Sequence, residues 1–289
     1  MTIIDELNKF IPNSEEFMSS YGKYHLNNDR YRNIYDGLNS GTFTENKIRY
    51  KLKYFFYRYL QKKIWGKEIF ESTYFKNYQN LCKKQKKLVD FNVIKHAFIL
   101  QILDANNLLK GKVCSIGDGK AIFISGCIYL KNDITLYSVN LPQALIQDYL
   151  IIKKFNLLED KYIKVVNNKE DLDIKNIKLF LIAPQNKFFL KNININLFTS
   201  ISCFQEIPKK ETQNYFDIMK NNKSFLYCCN REEKIMYDGE SIKYNEYPFE
   251  PCKKIFYEKC FFHQNWYSLR PPFIHKFNGN HLHSLVKFN

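Results

Sequence analysis

Residues 112–142, KVCSIGDGKAIFISGCIYLKNDITLYSVNLP, decide the fold. Lys112 to Ile116 is short and apolar, as a buried strand should be, and it runs into Gly117-Asp118-Gly119. Closely spaced glycines there let the backbone turn sharply and leave room for a ligand's main chain and sugar to approach. Residues 120–130 can form a helix, and 134–139 (ITLYSV) a second strand. That strand ends in Asn140-Leu141-Pro142, and Pro142 suits the first turn of a helix over 142–155. The turn alone is a weak signal. Position 122, where a G-x-G-x-x-G pattern would carry its third glycine, is Ile, and an ordinary strand-to-helix turn has much the same composition.

Working outward, the alternation of helix and strand continues. Upstream, Phe91 to Leu109 reads as a helix with Ile94, Ala97, Phe98, Leu103 and Leu109 toward the core. Downstream, 178–183, 196–201 and 224–229 read as strands, 162–166 (YIKVV) is ambiguous, and 281–288 (HLHSLVKF) is expected to be an antiparallel closing strand. Strands spaced by helices predict an α/β fold, Rossmann-like, with a mostly parallel sheet and a ligand crevice at the C-terminal ends of the strands. Residues 1–88 are rich in Lys, Tyr and Phe. Within them Thr44 to Lys67 predicts a helix with apolar or aromatic residues at 48, 52, 55, 56, 59 and 60. A membrane-surface helix fits that pattern, but packing on the next domain fits it better. The expected organisation is a helical N-terminal cap over 1–88 and a sheet domain over 89–289.

Composition narrows the function classes. The chain is 289 residues long, 45% hydrophobic and 17% aromatic, enough apolar surface to fold as a globular protein. It begins MTIIDELNKF, without the basic and apolar regions of a secretory signal, and no apolar run reaches the roughly 18 residues that span a bilayer. The expected location is cytoplasmic. The eight cysteines are scattered apart from the Cys228-Cys229 pair, which reads as reduced core thiols rather than a disulfide framework. A net charge of +15 invites a polyanionic partner, yet only six of the 44 basic residues are Arg, the better reader of phosphate. The Lys, Asn, Ile, Tyr and Phe bias matches an AT-rich coding sequence, and no RNA-binding fingerprint is present, so nucleic acid is not the expected partner. Cys252, Cys260, His263, His275, His281 and His283 gather near the C-terminus, but their spacing does not match structural zinc motifs and no metal site is expected.

Two further positions carry chemistry. Asn140 stands at the end of the second strand, about 20 residues after the glycines, where a nucleotide-binding unit places a side chain on the ribose hydroxyls. An amide there can still bond a hydroxyl, and Asn is equally suited to cap a helix. Ser202-Cys-Phe-Gln-Glu-Ile-Pro208 follows the strand NLFTSI and precedes the helix KKETQNYFDIM. The succession of a strand into GDG, a strand into NLP, a strand into SCFQEIP and a strand into a CNRE turn resembles the sugar O-methyltransferase family of class I enzymes dependent on S-adenosylmethionine (AdoMet). The resemblance covers roughly residues 90–289. The family's pattern has a richer glycine turn, Asp where this chain has Asn140, and no residue in the place of Cys203.

The resemblance implies the class I methyltransferase fold, AdoMet as cofactor, and a sugar hydroxyl of a glycan or nucleotide-sugar, acidic ones included, as acceptor. It implies cofactor contacts from Gly117, Asp118, Gly119, Asn140, Leu141, Ser202 and Cys203, and acceptor contacts from Gln205, Asn230 and Arg270. A hydroxyl needs a general base within hydrogen-bond reach as the methyl group moves. Glu206 is the first candidate, although a carboxylate at a helix start is also stabilised by the macrodipole alone. His263, His281 and His283 follow; the last two share one face of a strand. An RNA methyltransferase and a non-catalytic Rossmann-like binding protein are the competing functions.

Overall fold

The computed structural model describes residues 2–18, 48–84, 88–130, 133–191, 193–267 and 274–289. Its strands are β1 (Gly111–Ile116), β2 (Ile134–Val139), β3 (Ile163–Val165), β4 (Leu179–Ile182), β5 (Leu197–Ile201), β6 (Phe225–Arg231), β7 (Glu233–Ile235), β8 (Ser241–Lys243), β9 (Cys252–Lys259), β10 (Asn265–Tyr267), β11 (Ile274–Lys276) and β12 (His281–Phe288). Eight of them make one sheet in the order β3-β4-β2-β1-β5-β6-β12-β9. The run from β3 to β6 is parallel, and β12 lies antiparallel between β6 and β9. This is a Rossmann-like α/β fold with a mostly parallel sheet, and HLHSLVKF is its antiparallel closing strand. The ambiguous stretch 162–166 is a short edge strand.

The helices are α1 (Ile3–Asn8), α2 (Ile48–Trp65), α3 (Glu68–Glu71), α4 (Thr73–Lys84), α5 (Phe91–Ala105), α6 (Ile122–Leu130), α7 (Pro142–Lys154) and α8 (Lys209–Asn221). Asp90 caps α5 by accepting from the Val93 N–H at 3.1 Å. That helix ends four residues before the predicted Leu109, because Asn107 turns the chain left-handed at φ +57°. Pro142 opens α7 at its first turn, where the missing N–H has no partner to lose.

Parallel strands are covered on both faces, and these ones read as continuous apolar runs. One face carries Val113, Leu136, Leu181, Leu197 and Leu285 against α5, α6 and α7. The other carries Cys114, Tyr137, Phe180, Phe198 and Val286 against α8 and the loops around it. The N-terminal helices join the first of these cores: Leu7, Trp65, Phe70, Phe75 and Leu81 are buried in it. Trp65 stacks on Phe91 with centroids 5.2 Å apart, and the Tyr78 hydroxyl donates to Ile122 O at 2.9 Å. The segment from Phe10 to Phe17 meets the turn that follows β4. Gln185 Nε2 donates to Phe10 O at 3.0 Å, and the Lys187 ammonium lies 4.7 Å from the centre of the Phe17 ring.

The outermost strand β9 was not foreseen. Its lysines 253, 254 and 259 are exposed, and its pairing with β12 slips between Leu285 and Val286, leaving Ile255 out of register. Among the described residues no helix is long and apolar enough to cross a membrane.

Candidate active site

In the sheet order β2-β1-β5, the chain leaves β1 in one direction to reach β2 and returns on the other side to β5, so the topology reverses at the C-terminal end of β1. In open α/β sheets a reversal point of this kind holds the ligand crevice. A pocket of about 200 Å³ lies there. Gly117 and Gly119 after β1, Asn140 and Leu141 after β2, and Ser202, Cys203 and Glu206 after β5 all line it.

The glycine turn is left-handed almost throughout: φ is +68° at Gly117, +50° at Gly119, +68° at Lys120 and +50° at Ala121. Gly117 and Gly119 are required for different reasons. A Cβ on Gly117 would stand 2.0 Å from Cys203 Sγ, so β1 and the β5 loop touch there without a side chain between them. A Cβ on Gly119 would meet nothing within 4 Å, because open space lies beside it. The residue inserted at 203 therefore fills the room that Gly117 leaves. Burial, and then the neighbouring Glu206 carboxylate, push its thiol up.

Asp118 points inward and does not line the pocket. Its carboxylate accepts from the N–H groups of Phe123 and Ile124, both at 2.9 Å, and so caps α6. Asp148, on α7, accepts from the Ala121 N–H at 2.7 Å. Asn140 Oδ1 accepts from the Leu141 N–H at 2.9 Å, and its buried Nδ2 faces the Asp148 carboxyl. Burial raises the Asp118 carboxyl to about 7 against the N–H groups that lower it. Burial and the Asp118 charge also raise Asp148 well above its ordinary value.

A pH dependence follows from this pair. The folded values lie above the unfolded carboxyl value of about 4, so the folded protein holds more protons than the unfolded chain between about pH 4 and 7. The pair's contribution to stability is therefore complete below that window and is lost as pH rises through it, at up to about 1.4 kcal/mol per pH unit and group. In thermal melts, raising the pH from about 5 to 8 should lower Tm, and Asp148→Asn should flatten the slope. A slope unchanged by Asp148→Asn would show that the pair does not titrate this way.

Glu206 lies in a single turn of 3-10 helix, Phe204–Glu206, and its Oε1 meets Lys234 Nζ at 2.6 Å. Burial pushes the Lys234 ammonium down while the Glu206 carboxylate opposes the shift. Gln205 and Asn230 do not reach the pocket. Gln205 Oε1 accepts from the Arg231 N–H at 2.7 Å, and Asn230 Oδ1 from the Gln205 N–H at 3.5 Å, so they tie the β5 loop to β6. Arg270 lies outside the described residues.

The histidines are not in the pocket either. His281 and His283 do share a face, but it is the face under α5. His263 and His281 stack 4.2 Å apart with rings inclined by 9°, and Cys229 Sγ lies 3.5 Å from His263 Nδ1. Burial pushes His281 down to about 3 and His263 well below its ordinary value. His283 sits between the Tyr227 hydroxyl at 3.2 Å and Glu258 at 3.3 Å. None of the three touches the pocket as a base would have to. Among the described residues no three metal-binding side chains converge, and all eight cysteines are free thiols.

Sequence reasoning missed the remaining walls. Phe17 and Met18 come from the N-terminal segment, Ala144 and Gln147 from the start of α7, and Glu211 and Tyr215 from α8. Glu211 pairs at 2.7 Å with Lys187, which is only 1% exposed. Nothing local marks these residues, apart from the polar Gln147 and Glu211 on otherwise core-facing helices.

No family model matches the chain, and no curated protein matches it. Solved structures similar to it include the methyltransferase domain of bacterial CtHen1, with 10% identity over 69% of this chain and 100% of that one at a TM-score of 0.44. Magnesium protoporphyrin IX methyltransferase (ChlM) from Synechocystis PCC 6803 with bound SAM has 11% identity over 76% and 94% at 0.42. A Thermoplasma acidophilum protein, 1320, has 13% identity over 74% and 97% at 0.41.

Proposed function

We propose that the chain is an AdoMet-dependent methyltransferase that acts on a sugar hydroxyl, with the cofactor in the pocket around Gly119 and Asn140. The observation that carries this reading is what closes the start of α6. A dinucleotide would set its pyrophosphate on the free N–H groups of the helix after the first strand. Here Asp118 and Asp148 already occupy those donors, at Phe123, Ile124 and Ala121, and leave none of the three for a phosphate. The site suits a nucleoside without phosphates. Gly119 leaves space for its close approach, and Asn140 and Leu141 form the wall beside it.

AdoMet supplies an electrophilic methyl group on a sulfonium. The chain's own part is to hold the acceptor in line, keep water out and remove the hydroxyl proton. Glu206 takes the proton, and Lys234 holds its carboxylate in place. Phe17 and Met18 support a role for residues 1–88 as a cap that helps enclose the site. Calorimetry tests the reading: AdoMet and S-adenosylhomocysteine should each bind one to one, and NAD should not. Binding of NAD as tight as that of AdoMet would overturn it, and binding of none of them would leave a non-catalytic Rossmann-like protein.

A further inference from the structure

Next to the nucleoside pocket lies a larger cavity of about 560 Å³, walled by the end of β6, the β7 strand and the Asn278-Gly279 turn. The two share a partition: Glu206 lines the first, Lys234 lines the second, and their charged ends meet at 2.6 Å. Side chains along the wall alternate in a particular way. Arg231 and Lys234 are half-buried, whereas Glu232 and Glu233 are exposed. Both carboxylates line the cavity too and have neighbours of their own: Glu232 accepts from Asn280 Nδ2 at 2.9 Å and Glu233 from the Ser241 hydroxyl at 2.6 Å.

The lining therefore carries two carboxylates, each already held by a neighbouring donor, and two cations, and the two cations differ. Lys234 spends its charge on Glu206. Arg231 rests its guanidinium on the Phe277 ring, 5.0 Å from the centroid, and its Nε is buried with no hydrogen-bond partner. Its backbone is fixed by Gln205 Oε1 at 2.7 Å. A guanidinium that is oriented by its ring contact, half-buried at the cavity wall and in no ion pair with a carboxylate of the described residues matches the planar oxygens of a carboxylate or phosphate.

We propose that this cavity is the acceptor site and that it selects acceptors carrying a carboxylate or a phosphate, which Arg231 holds while a hydroxyl lies at the partition beside Glu206. The proposal rests on the reading of the first pocket as the AdoMet site. A neutral sugar fills the same space but leaves Arg231 unsatisfied.

The test is calorimetry on the full chain saturated with S-adenosylhomocysteine, using glucuronate, glucose 1-phosphate and glucose as probes. One or both anions should bind at least about tenfold more tightly than glucose, the effect of one charge-assisted contact. Whichever anion binds more tightly identifies the group as carboxylate or phosphate. Arg231→Gln should erase the preference and Arg231→Lys keep part of it, with S-adenosylhomocysteine affinity unchanged in both. The tie to Gln205 uses the main-chain N–H, so both variants retain it. Should Arg231→Gln fail to fold, a reduced preference in Arg231→Lys carries the test. Anions that bind no better than glucose to protein holding S-adenosylhomocysteine, or a preference that survives Arg231→Gln, would overturn the proposal. An Arg231-dependent preference in protein that does not bind S-adenosylhomocysteine would leave the anion site standing and remove the methyltransferase reading instead.

Discussion

Glu206→Gln is expected to lower methyl transfer by about 10² to 10⁴, the usual contribution of a general base, with AdoMet affinity near wild type. The amide keeps the shape of the side chain and can still accept from Lys234, so the partition between the two cavities stays in place. What disappears is the carboxylate that receives the proton. A purely structural Glu206 predicts the reverse pattern, a loss of about 1 kcal/mol in stability for a helix-terminal charge with turnover nearly intact. Turnover within a few-fold of wild type in a folded variant would remove Glu206 as the base. The three candidate histidines could not replace it, since they are buried under α5.

Gly119→Val is expected to cost at least about 100-fold in AdoMet affinity, or about 2.7 kcal/mol. The branched side chain would grow into open space beside the pocket, and nothing else lies within 4 Å of its Cβ. The positive φ adds about 1–2 kcal/mol of strain. The fold should survive it, because Lys120 and Ala121 already take left-handed conformations in the same turn. The comparison is Gly117→Ala, whose Cβ would collide with Cys203 and which should fail in folding rather than in binding. A folded Gly119→Val protein with unchanged AdoMet affinity would show that the cofactor lies elsewhere.

The strands were legible because both faces of a parallel sheet are apolar, which gives each strand a dense run between turn residues. The same property hid the sides. With no solvent-facing set of residues, period two shows that His281 and His283 point together but not toward which layer. Gln205 and Asn230 misled for a related reason: side-chain amides read as ligand contacts until their partners are known, and here their oxygens accept from the main-chain N–H groups of Arg231 and Gln205. Phe17, Met18 and the Lys187–Glu211 pair were beyond reach, since only tertiary packing joins residues so far apart in sequence. β9 was overlooked because an edge strand facing solvent lacks the apolar run that marked the others.

That edge gives the chain's excess charge a second meaning. A sheet that ends in an open strand can template the addition of another copy, and the exposed Ile255 and Tyr257 would encourage it. An incoming strand would have to bring its own backbone alongside Lys253, Lys254 and Lys259 and follow the kink at Ile255. Part of the surplus of lysine therefore works as insulation against self-assembly, and it does so whether or not any polyanion ever meets the protein.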